Sequence, residues 1–175
     1  MANTYTLIQA QTLASSAASV TFSSIPATYT DLVLRCSVRS ATSSGQDYML
    51  LQFNGDTATN YSMTMIYTNA TTATSYRTTS TTSIDQNPID LSTNTASTFS
   101  NNEFYIPSYL STTSRPMSHF GVAEGNVTTN AAWMAANAGL YRGTSAITSL
   151  TLTDANGGSG FAATSSFYLY GIKSS

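Results

Sequence analysis

The sequence predicts an all-β protein, an antiparallel β-sandwich of jelly-roll-like arrangement with eight to ten strands. First, apolar and polar residues alternate with a period of two in most segments, which is typical of strands with one buried face. Second, turn residues separate these segments at the short spacing of an all-β domain. Third, no segment has the periodicity of a convincing helix. The chain of 175 residues has the length of one domain, residues 1–175.

The clearest pattern lies between Ala18 and Arg39. Val20 and Phe22 share one side of a short strand, and Pro26 belongs in the connection because it has no N–H to donate to a ladder. The next strand has four residues on its predicted buried face: Leu32, Leu34, Cys36 and Val38. Its predicted wet face carries Val33, Arg35, Ser37 and Arg39. The core of the sandwich is therefore predicted to begin here.

The rest of the N-terminal half adds a first strand at Thr4–Ala10 and a hairpin. Asp47–Phe53 alternates, with Met49, Leu51 and Phe53 toward the core, and residues 61–67 alternate in the same way. Asn54-Gly55-Asp56 lies between these segments and is a strong turn signal, because Asn and Gly tolerate the positive φ of tight hairpins. The two strands are therefore predicted to pair with each other.

The C-terminal half contains five more predicted strands: Thr98–Pro107, Arg115–Val127, Ala131–Tyr141, Ala146–Thr153 and Ser165–Ile172. The second and third pair around residues 128–130, and a flexible turn at Asp154–Gly160 joins the last two. Ala131–Ala138 could be helical on propensity alone. The Gly and Asn content around it and its setting among strands favour a strand.

Two segments are ambiguous. Pro88 interrupts Ile84–Leu91. Thr68–Thr82 has strand propensity but almost nothing to bury, so a loop, a solvent-facing hairpin and a surface ordered by a neighbouring subunit all remain open. We expect the last of these, with Thr68–Thr82 making intersubunit or capsid contacts.

The composition predicts a folded protein with an unusual surface. Charged residues make up 8% of the chain, the net charge is −2 and 41% of residues are hydrophobic, whereas disordered chains combine low hydrophobicity with high net charge. Serine and threonine together form about a third of the sequence. A surface of hydroxyl groups suits a protein covered by other subunits or by sugars. The low charge predicts little attraction to nucleic acid or to anionic membranes.

Processing and redox signals are few. No segment approaches the length of a membrane span, and the N-terminus lacks the basic and apolar regions of a signal peptide. Cys36 is the only cysteine, so an internal disulfide is impossible, and its place on an apolar face predicts a buried thiol.

No catalytic, cofactor-binding or metal-binding residue is predicted. His119 is the only histidine and alternates with its neighbours as a structural strand residue does, and no Gly-x-Ser-x-Gly elbow is present. Among the acids only Glu103 and Glu124 lie in mid-strand, and no pattern places them together. Asp154–Gly160 has alternating oxygen donors but too little charge for tight calcium binding, so a glycine-rich turn explains it better.

Aromatic residues supply the candidate interaction surface. Seven occupy possible exposed positions: Tyr61, Tyr67, Tyr76, Tyr105, Tyr109, Trp133 and Tyr141. From this set and its neighbours we select Tyr67, Tyr76, Arg77, Trp133 and Tyr141 as the possible surface. Exposed aromatic rings serve in glycan binding, but tyrosine is also common in cores and subunit contacts. Both interpretations stay open.

Three segments resemble small virion proteins of tailed bacteriophages: Ser15–Arg35 with its Ile-Pro-x-x-Tyr-x-Asp-Leu motif, Leu50–Ser62, and Phe167–Ser174 with Leu-Tyr-Gly-Ile-Lys. The likeness covers the first third and the last ten residues, and the stretch from Thr68 to Asn137 matches weakly. It implies a non-enzymatic β-sandwich subunit in the virion, made in the host cytoplasm.

The resemblance leaves the place in the particle open. A capsid decoration or cement subunit, a homotrimer contacting the major capsid protein, is the first expectation. A tail, baseplate or fibre subunit that contacts tail proteins is the second. From the aromatic residues, a lectin-like module that binds host-surface glycans is the alternative of a different class. No cofactor, nucleic acid or membrane partner is expected.

Overall fold

A computed structural model describes residues 4–69, 71–127, 132–156 and 159–173, with the side chain of residue 132 excepted. Strands account for 59% of the residues, and two antiparallel sheets pack as a sandwich. The described residues include no helix. The predicted all-β sandwich is confirmed.

The described residues form twelve strands. In chain order they are β1 (Tyr5–Thr12), β2 (Ser19–Phe22), β3 (Asp31–Val38), β4 (Asp47–Phe53), β5 (Tyr61–Asn69), β6 (Thr72–Thr81), β7 (Ile84–Ile89), β8 (Ser100–Ile106), β9 (Arg115–Glu124), β10 (Ala132–Tyr141), β11 (Leu150–Asp154) and β12 (Ser166–Ile172).

The large sheet has eight strands in the order β1-β12-β3-β8-β9-β10-β5-β6, and the small sheet has four in the order β2-β11-β4-β7. A jelly roll has eight strands in total, so this sandwich has a larger main sheet than that arrangement. The small sheet covers only part of the large one, with β7 lying across β8, β9, β10 and β5. One apolar core fills the space between them.

The predicted buried face of the first core strands is confirmed. Val20, Phe22, Leu32, Leu34, Cys36 and Val38 are all at most 2% exposed. Met49, Leu51 and Phe53 of β4 are buried as well. Two residues of the predicted wet face are buried, Val33 and Arg39. Val33 does point outward, opposite Tyr105 in the β3–β8 ladder, but it is covered by its neighbours.

Both predicted hairpins with tight or flexible turns are wrong. Asn54 and Gly55 do have positive φ angles of 55° and 65°, but β4 pairs with β11 and β7 while β5 pairs with β10 and β6. The turn therefore carries the chain from one sheet to the other. The Asn54 side chain holds it there by donating to Ala146 O and by accepting from Thr148 N, both at 2.8 Å.

The same correction applies to the last predicted pair. β11 lies in the small sheet between β2 and β4, whereas β12 lies in the large sheet between β1 and β3. Local turn chemistry predicts that a chain reverses, but it does not select the sheet in which the next strand pairs. The Arg115–Val127 and Ala131–Tyr141 pair is confirmed by the register of β9 and β10, although residues 128–131 lie outside the described residues. The helical alternative for Ala131–Ala138 is wrong.

The two ambiguous segments account for the strands beyond ten. Residues 68–82 contribute the end of β5 and all of β6, and Ile84–Ile89 forms β7. Both β6 and β7 are edge strands. Pro88 fits an edge because a strand there has one side without a ladder partner.

The first and last motifs of the phage resemblance contact each other. Thr30 N donates to Ile172 O at 2.8 Å, and Asp31 is opposite Ile172 in the β3–β12 ladder. A Cβ atom added to Gly171 would lie 2.3 Å from Cγ of Tyr29. The glycine is therefore required for the Tyr29 ring to pack flat against β12.

Candidate functional site

The chemistry-bearing groups in the interior belong to a structural network. In β9, His119 Nε2 lies 2.8 Å from Asn102 Oδ1 of β8, and its Nδ1 lies 3.3 Å from Asn137 Nδ2 of β10. Asn137 Nδ2 also donates to Asn87 Oδ1 of β7 at 3.1 Å. Because an amide nitrogen only donates, His119 accepts at Nδ1 and carries its proton on Nε2.

This network joins the two sheets. Asn87 Nδ2 donates to Met49 O of β4 at 2.7 Å, and Asn102 Nδ2 donates to Pro88 O at 3.0 Å. The His119 ring lies 4.4 Å from the Phe104 ring, centroid to centroid. Burial lowers the pKa of His119 to about 3, so the imidazole is neutral at physiological pH. A neutral, 3% exposed ring fits the structural role predicted from the sequence.

Arg39 is a second buried polar group with a structural role. Its guanidinium donates to four backbone carbonyls in the loop of residues 92–98, at 2.8–3.0 Å, and to the hydroxyl of Thr98 at 3.0 Å. This loop joins β7 to β8. The sequence pattern missed the role because Arg39 lies just beyond β3, where strand alternation no longer determines its direction.

Glu103 and Glu124 do not form a paired-carboxylate site. Glu103 makes an ion pair with Arg35 at 2.7 Å on the exposed face of the large sheet, and the hydrogen bond that Arg35 donates to Glu103 raises the pKa of Arg35. Glu124 accepts from Asn126 N at 2.9 Å. Glu103 is opposite Phe120, four residues from Glu124, so their backbones are roughly 13 Å apart.

The Asp154–Gly160 segment is closed by its own side chain. Asp154 accepts from Gly160 N at 3.2 Å, which fits the predicted turn better than a calcium loop. Residues 157 and 158 lie outside the described residues. In the described part of the chain, no group of three or more His, Cys, Asp or Glu residues is placed to hold a metal ion.

The predicted interaction residues do not form one surface. Trp133 and Tyr141 are 8% and 3% exposed, and Tyr67 is half-buried and stacked on Trp133 with 5.7 Å between ring centroids. Tyr76 and Arg77 of β6 are exposed, but as neighbours in a strand they point to opposite faces.

The wider set of possible exposed aromatic residues divides between the core and the surface. Tyr61 and Tyr109 are fully buried, while Tyr76 and Tyr105 are 44% and 38% exposed. Tyr141 packs on Tyr61 and Phe53, and Arg115 lies over the Tyr141 ring at 5.2 Å. Burial and the hydrogen bond to Asp56 raise the pKa of Tyr141 to about 12. These rings are aromatic core residues with satisfied hydroxyl groups.

The structure instead places an apolar surface on the face of the large sheet that points away from the core, which we call the outer face. The ladders align six exposed hydrophobic side chains there: Tyr5, Leu7, Ile66, Tyr105, Phe120 and Met134. Phe120 is 53% exposed and Ile66 is 66% exposed. Sequence alternation gives the two faces of each strand, but it does not show which strands are neighbours.

The middle of the outer face has a shallow depression. Arg35, Asn101, Glu103, Phe120 and Val122 line this open space of about 410 Å³. Its charges are already paired with each other, because Arg35 and Glu103 form the ion pair described above. A partner that covers this region therefore meets apolar side chains and one neutral charge pair.

The outer face is large enough for a stable protein contact. Seven spacings of ~4.8 Å between eight strands and ~24 Å along each strand give roughly 800 Å². This is about the area that each partner buries in an interface of standard size.

Within the described residues, no helix is long and apolar enough to cross a membrane. Comparisons with protein-family models, with curated proteins and with solved structures each found no match.

Proposed function

We propose that this chain is a non-enzymatic structural protein of a tailed-bacteriophage virion, a decoration or cement subunit on the capsid surface. The observation that carries the proposal is the outer face of the large sheet. It brings exposed Phe120, Ile66 and Met134 together on one face of the molecule, and exposed hydrophobic side chains that cluster in this way mark interaction sites.

The interior supports a structural role. His119 and Arg39 are both used to hold the two sheets and a loop in place. The two motifs that meet at Tyr29 and Gly171 resemble those of phage virion proteins. This resemblance is our reason for proposing a phage particle as the location of the chain. A homotrimer that contacts the major capsid protein is the arrangement we propose, and a tail, baseplate or fibre position is the alternative within the same class.

The outer face provides the test. Phe120→Asp places an unpaired carboxylate at the centre of the face, and Thr57→Asp places one in the exposed loop between β4 and β5 as a matched control. Phage particles are assembled with each variant in place of the natural chain, and their content of this protein is measured. We expect Phe120→Asp to lower incorporation at least tenfold and Thr57→Asp to leave it unchanged.

A cryo-electron microscopy map of the same particles gives the location. Density for the sandwich on the capsid supports the decoration role, and density on the tail supports the alternative. A purified Phe120→Asp protein with unchanged melting shows that lost incorporation does not reflect misfolding. Particles that incorporate Phe120→Asp normally, or particles that lack the chain altogether, would overturn the proposal.

A glycan-binding function is the second candidate, and one observation favours it. The depression on the outer face surrounds the exposed ring of Phe120 with hydrogen-bonding groups of Arg35, Asn101 and Glu103. An aromatic face beside polar groups can stack on a sugar ring. A glycan array with the purified protein tests this function, and binding that disappears in Phe120→Ala supports it over a purely structural role. No binding to any glycan on the array would reject it.

A further inference from the structure

Among the described strands, β6 is an edge strand whose second side has no partner. It pairs only with β5 and ends the order of the large sheet. Eight of its ten residues are exposed and the other two are half-buried. In an antiparallel strand, alternate residues direct both backbone groups to the same side, so about five residues of β6 present N–H and C=O groups to solvent. Among the described residues, Arg142 to Thr79 O is the one hydrogen bond from outside β5 to a β6 backbone group.

The strand also lacks the usual protection of sheet edges. Proteins protect edges with lysine, proline, inward-pointing charges, short strands or bulges. β6 is ten residues long and contains one charge, Arg77, and no proline. Its irregularity lies near its C-terminal end, opposite residues 61–63, so residues 72–78 are regular. The other edge of the same sheet is different, because a bulge between Leu7 and Gln9 interrupts β1 in its middle.

We propose that β6 pairs with β6 of a second copy of this chain. The two strands run antiparallel across a two-fold axis, with Ser75 opposite Ser75 of the other copy. This register uses the whole regular segment of residues 72–78 and joins two eight-stranded sheets into one of sixteen strands. We choose a second copy as the partner because a two-fold contact uses the same strand on both chains. The dimer then has no free β6 edge left for further chains to join.

The side chains of β6 suit this register. On the outer face Arg77 is opposite Ala73 of the other copy, so the two guanidinium groups are kept well apart. On the inner face Tyr76 is opposite Thr74, an aromatic and β-branched pair of the kind that stabilises antiparallel strands. Moving the two-fold axis from residue 75 to residue 77 would place Arg77 opposite Arg77 of the other copy. Like charges directly opposite each other are destabilising, so this register is disfavoured.

The contact does not depend on the virion role or on the trimer proposed above, because it is two-fold and uses the edge of the sheet. The molar mass of the purified protein separates these ideas. A dimer supports the β6 contact alone, a hexamer supports both contacts, and a trimer supports the ring alone. A monomer at high micromolar concentration overturns the β6 contact.

A single introduced cysteine tests the register. Ser75→Cys places two thiols opposite each other with Cα atoms about 4.5–5.5 Å apart, within the range of a disulfide. The matched control is Ala73→Cys on the same face of the same strand, where the two cysteines would be roughly 14 Å apart. Cys36 is 2% exposed and its pKa is raised by burial, so it stays silent under mild oxidation.

We expect Ser75→Cys to cross-link into dimers at least tenfold faster than Ala73→Cys. Equal rates for the two variants, or no cross-linking by either, would overturn the register.

A pair of charge variants tests the contact without a covalent bond. Ser75→Glu and Ser75→Lys should each weaken self-association at least tenfold, because two like charges would be opposite each other at the axis. An equimolar mixture of the two should recover association, since each contact then pairs opposite charges. Unchanged association in both single variants, or no recovery in a mixture of two weakened variants, contradicts the proposal.

Discussion

The buried imidazole of His119 should make this protein lose stability in acid, and replacing it should remove that loss. In the folded protein the pKa of His119 is about 3, whereas the ordinary pKa of a histidine side chain is 6.5. The unfolded chain therefore binds a proton that the folded protein does not bind between these two values. The contribution of the neutral His119 to the free energy of unfolding is fully present above pH 6.5, and it is lost as the pH decreases toward 3.

The size of the effect follows from the difference between the two pKa values. One pKa unit corresponds to 1.36 kcal/mol, so a difference of about 3.5 units gives at most about 5 kcal/mol at pH 3 and about 2 kcal/mol at pH 5. Asp85 acts in the opposite direction, because burial raises its pKa to about 6. The stabilising contribution of Asp85 is lost as the pH rises from 3.8 to 6. Measurements on the wild-type protein by itself would therefore show only part of the His119 effect.

The comparison of wild type with His119→Gln removes the Asp85 contribution, because both proteins contain that residue. Glutamine keeps a polar amide near Asn102 and Asn137 but has no titrating group. We expect the variant to lose about 1–3 kcal/mol at pH 7 from imperfect hydrogen bonding. Urea unfolding at pH 7, 6, 5 and 4 gives the difference in unfolding free energy between wild type and variant. We expect this difference to fall by about 2 kcal/mol between pH 7 and pH 5.

A second measurement follows the imidazole directly. His119 is the only histidine in the chain, so its ring protons give one unambiguous set of NMR signals. These signals should not titrate above about pH 4 while the protein remains folded. Titration near pH 6.5, or the same pH dependence of unfolding in wild type and His119→Gln, would show that His119 is not held neutral by burial.

Three further predictions concern stability and are tested by chemical or thermal unfolding. Leu34→Ala should cost about 2–5 kcal/mol through lost burial and the cavity left behind, and a variant that melts with the wild type would mean that the inward face of β3 is misassigned. Gly171→Ala should cost about 1–3 kcal/mol because the new methyl group overlaps the Tyr29 ring; Tyr29→Ala in the same chain should recover part of the loss, and no recovery would reject the clash. Arg39→Lys should cost on the order of 2–4 kcal/mol, because lysine cannot serve all the carbonyls of residues 92–98 and leaves buried groups unpaired; hydrogen exchange that is no faster in that loop would contradict this role.

Residue alternation predicts every strand except β6 and β7, together with the inward face of the first core strands, since burial on one side of a pleat imposes a period of two. Which strands pair with each other is harder to predict from the sequence. Asn54-Gly55 correctly indicated a tight turn, yet the next strand belongs to the other sheet, because side-chain contacts with residues 146–149, about ninety positions away, fix where the chain goes. β6 is not predictable for the opposite reason, since a strand with no buried face has no alternating pattern.

The candidate surfaces were less predictable than the fold. The sequence does not show that Trp133 and Tyr141 are buried, because aromatic side chains carry no directional signal of their own and the stacking partners of these two come from distant strands. The outer face was missed for a related reason. Phe120, Ile66 and Met134 are isolated hydrophobic residues in sequence, and only the order of β5, β10 and β9 in the sheet brings them together.

The position of β11 and β12 has a consequence for how the chain acquires its structure. β12 lies between β1 and β3, and β2 has β11 as its one neighbour in the small sheet. While the ribosome is still translating residues before 150, β1 and β2 have no strand to pair with, and the earliest part of the chain must wait for the latest. Such long-range pairing is slow, on the millisecond to second scale, because the chain loses the entropy of a long loop before the strands make favourable contacts. The sheets are therefore expected to close only once β11 and β12 have been made, and loss of these two strands should leave β1 and β2 unpaired and prone to aggregate.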